Sequence, residues 1–79
     1  MDSYLLNFLE RCLEALSNRE ELEIKGYLYG KTEEDHLAVE YARNRGLIGV
    51  RSHGDPRDLF VYTMTPEAVN MVKDRRDEY

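Results

Sequence analysis

The chain lacks most of what enzymes, membrane proteins and secreted modules need. It has one cysteine, Cys12, among 79 residues, so no internal disulfide, zinc ribbon or redox pair can form. Its two histidines, His36 and His53, stand apart with no second His, Cys or carboxylate at a metal-ligand spacing, and no metal is expected. No glycine-rich phosphate loop occurs. No apolar run approaches the roughly 20 residues of a membrane span. The start of the chain carries Asp2 and Glu10 where a secretory signal is basic, and it has no small-residue cleavage site. These absences point to a cytoplasmic location. A domain of this size buries only about 60% of its unfolded surface, too little to enclose a deep pocket, a cofactor and a catalytic constellation together. The expectation is a non-enzyme without cofactors.

What is present is charge and periodicity. There are 16 acidic residues against 11 Lys and Arg, for a net charge of −5. Between Arg43 and Arg57 the balance reverses to +3, which leaves −8 elsewhere. No repeat, linker or low-complexity stretch divides the chain, and residues 1–79 are expected to share one core.

Leu5, Leu6, Phe8, Leu9, Cys12, Leu13 and Leu16 fall at helical spacing and predict a first helix over residues 3–17. Seven apolar residues in twelve can all line one small core, or part of the stripe can pack on a second copy. On the second view Leu5, Leu6, Leu9, Cys12, Leu13 and Leu16 form a homodimer seam. Over residues 18–30 Leu22, Ile24 and Leu28 alternate as in a strand, while Asn18 with Glu21 resembles a capping box; a short second helix is the expectation, with a strand as the alternative. In the helical reading Gly26 admits a close neighbouring helix and Gly30 ends the segment.

Thr32 and Asp35 form a second capping box, followed by Leu37, Ala38, Tyr41 and Ala42 on a helix over 33–45 that Gly46 stops. Two strand-like runs, Leu47 to Ser52 and Leu59 to Thr63, flank the turn His53-Gly54-Asp55-Pro56-Arg57-Asp58 and predict a hairpin. Thr65 as N-cap, Pro66 and Glu67 open a last helix reaching about Arg76.

The order of these elements, with Tyr41-Ala42-Arg43-Asn44-Arg45-Gly46-Leu47-Ile48 leading into the first hairpin strand, resembles the winged helix-turn-helix superfamily. Tyr62-Thr63-Met64-Thr65-Pro66-Glu67-Ala68 is similar to the tyrosine-x-leucine-threonine-proline-x-glycine passage by which many bacterial members leave the wing, with Ala68 for the usual glycine. Gly30-Lys31-Thr32-Glu33-Glu34-Asp35 and Gly46-Leu47-Ile48-Gly49-Val50 resemble small YjcQ-like proteins of bacteria and their phages. The resemblance implies an α+β winged-helix fold: a three-helix core, a β-hairpin wing and a C-terminal helix.

The leading expectation is a DNA-binding transcriptional regulator, with a protein-interaction module as the alternative. The resemblance implies a DNA-binding regulator contacting double-stranded DNA through Arg43 and Arg45 at the end of the third helix and Arg51, His53 and Arg57 on the wing. The charge pattern favours a protein-interaction module, because Glu33, Glu34 and Asp35 would meet a polyanion with the wrong sign. Two structural roles compete for the same cations: Arg43 and Arg45 can complement the helix C-terminus, and Arg57 can pair with Asp55 or Asp58. Tyr27, Tyr29 and Tyr41 could stack on bases, though core filling is the expectation. Cys12 reads as a small core hydrophobe, and Glu20, Glu21 and Glu23 as a solvated face.

Overall fold

A computed structural model describes residues 2–77. Within them lie α1 (Asp2–Ser17), β1 (Leu22–Glu23), α2 (Ile24–Leu28), α3 (Glu33–Asn44), β2 (Ile48–Ser52), β3 (Leu59–Met64) and α4 (Pro66–Asp77). The class is α+β, with four helices and one antiparallel sheet in the order β1-β3-β2.

The apolar stripe of α1 divides by depth. Leu5, Phe8, Leu9 and Cys12 are buried, while Leu6, Leu13 and Leu16 sit half-buried at the margin. The helix ends in a Schellman motif in which the Glu20 N–H donates to the Ala15 carbonyl at 2.9 Å and the Arg19 N–H to the Leu16 carbonyl at 3.0 Å. Arg19 therefore takes the left-handed conformation, φ 60°. Asn18 and Glu21 do not open a helix as their spacing suggested. Asn18 belongs to this turn, and the chain enters a strand instead.

The alternating residues 22–28 contain both expected elements in succession. Leu22 and Glu23 pair with Val61 and Phe60 of β3, after which Ile24–Leu28 makes one helical turn. Gly26 does not admit another helix. It faces the Glu23 side chain, whose Oε1 would lie 2.8 Å from an added Cβ. Gly30, at φ 73°, ends the turn as expected.

Thr32 and Asp35 form the reciprocal capping box: the Asp35 N–H donates to Thr32 Oγ1 at 3.4 Å and the Thr32 N–H to Asp35 Oδ2 at 3.1 Å. The hydrogen bond from Thr32 also holds the Asp35 carboxyl below its ordinary range. At the other end Gly46, φ 68°, makes a second Schellman turn in which the Leu47 N–H reaches the Ala42 carbonyl at 2.9 Å.

The hairpin pairs Ile48 with Met64 and Gly49 with Thr63, then slips by one residue so that Val50 meets Val61. Tyr62 is the extra residue of this bulge, and its ring lies over Gly49, where a Cβ would come within 3.2 Å of Tyr62 and 2.6 Å of Thr63 Cγ2. Thr65 Oγ1 caps α4 by accepting from the Ala68 N–H at 3.2 Å, and its backbone N–H donates to the Leu47 carbonyl at 3.0 Å. The start of α4 is thereby tied to the exit of α3. At its other end, Arg75 donates to Asn7 Oδ1 at 2.9 Å, and Arg75 and Arg76 lie 3.8 and 3.5 Å from the Glu10 carboxylate. Phe8, Leu9, Cys12, Val61 and Val72 are the largest fully buried side chains at the centre.

Candidate functional site

Alternation along a strand puts Leu22 on the core side of the sheet and leaves its neighbours Glu21 and Glu23 on the outer side. On that outer face the register sets Glu23, Phe60 and Arg51 at one level across the three strands. The ion pair nevertheless runs diagonally. Arg51 Nη2 lies 2.5 Å from Glu21 Oε2 and Arg51 Nε 3.3 Å from Oε1, a bidentate pair between β2 and the segment entering β1. His53 Nε2 stands 2.8 Å from the same Oε1. The His53 ring packs on Phe60, centroids 5.0 Å apart, and the Arg51 guanidinium stands 4.9 Å from the Tyr62 centroid. Hydrogen bonds from Arg51 and His53 push the Glu21 carboxyl from 4.5 down to about 2, while Glu21 raises Arg51 in return.

Glu23 meets the opposite situation. Asp58, at the entrance to β3, faces it, and the carboxylate raises the Glu23 pKa by hydrogen bonding and charge, with Lys25 opposing. Asp58 Oδ1 is shielded from solvent without a hydrogen-bond partner among the described residues.

The five basic residues expected at a nucleic acid surface are therefore not equivalent. Arg51 and His53 are held by Glu21, and Arg57 donates from Nε to Asp55 Oδ1 at 3.4 Å while its backbone N–H bonds the same oxygen at 2.9 Å. Arg45 lies 5.0 Å from the Tyr41 ring centroid, and Arg43 occupies the last turn of α3, where it complements the helix dipole. The structure thus brings Arg51 and His53 together on Glu21 and leaves Arg43, Arg45 and Arg57 separate. The sequence reads Glu21 as a capping-box partner of Asn18 or one acid in a solvated run, because its true partners are 30 and 32 residues away.

Of the six α1 residues expected at a dimer seam, Leu5, Leu9 and Cys12 are buried in the chain's own core. Only Leu6, Leu13 and Leu16 lie where a second copy could reach, the latter two beside Tyr62, Met64 and Val69 in a shallow groove. Burial pushes the Cys12 thiol up to about 12, which keeps it in the unreactive protonated form.

Helix α3 turns Ala38, Val39 and Ala42 to the core, not the full Leu37-Ala38-Tyr41-Ala42 stripe. Glu33, Leu37, Glu40 and Asn44 consequently form its outermost line, spaced by four, three and four residues. Leu37 is 45% exposed and Tyr29, just before the helix, 89%. Tyr29 therefore departs from the core-filling expectation, whereas Tyr27 packs on Phe8 at 5.1 Å and Tyr41 borders the core. Among the described residues Glu33, Glu34 and Glu40 have no ion pair. No described group of three His, Cys, Asp or Glu could hold a metal ion, and no described helix is long and apolar enough to cross a membrane. Compared with known proteins, the chain matches no family model, no curated protein and no solved structure.

Proposed function

We propose that the chain is a winged-helix domain that serves as a protein-interaction module. The element order, the β1-β3-β2 sheet and the hairpin between α3 and α4 support the winged-helix reading. The observation that carries the function is the outermost line of α3, where Glu33 and Glu40 bracket Leu37. A helix entering the major groove needs donors for base edges and cations for phosphates along that line. Here it offers carboxylates and an apolar side chain. The wing adds little positive charge, since Glu21 and Asp55 already hold Arg51, His53 and Arg57.

Fluorescence anisotropy with random duplex DNA at low and physiological salt tests this reading. The expected result is no salt-sensitive binding. Affinity that falls steeply with salt would overturn it, because counterion release is the signature of phosphate contacts.

DNA binding through the wing is the second reading, favoured by the +3 cluster between Arg43 and Arg57 and by the 91% exposure of the Arg57 side chain. On that reading Arg51→Glu with Arg57→Glu abolishes binding. A homodimer, if formed through α1, rests on Leu6, Leu13 and Leu16, and light scattering of Leu13→Glu against the parent chain reads it directly.

A further inference from the structure

We infer that the outer face of α3 docks a basic amphipathic helix from a protein partner, one apolar side chain packing on Leu37 and two cations meeting Glu33 and Glu40. This names the partner of the interaction module proposed above and rests on that reading. Leu37 is exposed and stands outside the apolar cluster that forms the core. Nearly half of its surface is therefore left open to solvent. Tyr41, one turn further on at i+4, adds a half-buried ring beside it. The charge around this strip is complementary to one kind of partner. Glu33, Glu34 and Glu40 are exposed and free of ion pairs among the described residues, so an approaching cation breaks no existing pair.

The spacing fixes the form of the partner. Glu33 and Glu40 are seven positions apart, about 10 Å along the helix axis at 1.5 Å per residue. A helix laid alongside matches them with cations seven residues apart and an apolar residue between them, the pattern Lys-x-x-x-Leu-x-x-Lys. Helix-in-groove recognition reads anchors at such spacings.

The test uses the full chain labelled for heteronuclear NMR and a synthetic helical peptide carrying that pattern. The expected result is shift changes confined to residues 29–44, with binding weakened at least tenfold by Leu37→Glu and by Glu40→Lys. Both positions are exposed, and circular dichroism verifies that the variants keep the fold. Leu37→Glu is the decisive variant because it makes the face more acidic. Simple attraction of a polycation would then tighten, whereas docking on the apolar side chain weakens.

Binding that is unchanged or tightened by Leu37→Glu overturns the inference, as do shifts centred on the hairpin or no binding. Movement of the Leu37 signals with rising protein concentration alone would assign the face to a second copy and also overturn it. Duplex DNA titrated into the same sample separates the two levels. Salt-sensitive shifts in α3 or the hairpin defeat the interaction reading itself, whereas silence toward both DNA and peptide defeats only this partner.

Discussion

Glu21 and Glu23 stand on either side of one buried leucine at the edge of the same sheet, and their surroundings give them opposite electrostatic fates. Strand β2 brings Arg51 and His53 to Glu21, whose carboxyl falls to about 2. The turn before β3 brings Asp58 to Glu23, whose carboxyl is raised. Residue type and side of the sheet are the same, with Glu21 just before β1 and Glu23 within it. The difference lies in what the hairpin delivers from 30 or more residues away. The contrast bears on function as well as stability. Glu21 engages two basic side chains of the hairpin, while Glu23 leaves a carboxylate pair beside it.

The change that breaks this comparison most severely is Leu22→Ala. Leu22 is buried between the two carboxylates and pairs with Val61. Truncation is expected to cost about 2–5 kcal/mol, read from urea unfolding, and to blur both pH signatures because β1 loses its anchor.

Glu21→Gln is the next in size and sharpens one side only. A carboxyl depressed to about 2 from 4.5 contributes stability that is fully present above 4.5 and lost as pH falls toward 2. The variant is expected to be less stable at neutral pH, with a flatter loss of stability between those two values in thermal melts.

Glu23→Gln gives the smallest effect and the opposite sign. A carboxyl raised above 4.5 destabilises the folded chain increasingly as pH rises past 4.5, in full once pH exceeds its folded value. The variant is expected to be slightly more stable at neutral pH, and the gain to vanish below 4.5 in the same melts. A loss of stability at neutral pH would show that the Glu23–Asp58 contact is not repulsive.

Local signals in the sequence were informative where the interaction closes within a few residues. The Thr32–Asp35 capping box, the Gly46 helix stop, the Thr65-Pro66 helix start and the hairpin between residues 48 and 64 are all of this kind. Errors arose where two local patterns competed. Asn18 with Glu21 has capping-box spacing, yet the turn closed backward on α1 through Arg19, a residue with no glycine signal to mark it. Leu37 fits an apolar stripe with Tyr41 as well as Ala38 fits one with Ala42, and only packing against α1 selects between them.

By itself the sequence determined the three longer helices, the hairpin and the acidic start of α3, because helical period, capping and turn chemistry act over one or two turns of chain. Tertiary structure alone decided which half of the α1 stripe is internal, which side of α3 faces outward, and which carboxylate on the edge of the sheet finds a cation. Those outcomes depend on strand register and helix rotation, where one residue of slip or one hundred degrees of turn moves a side chain from core to solvent, and no local pattern carries that information.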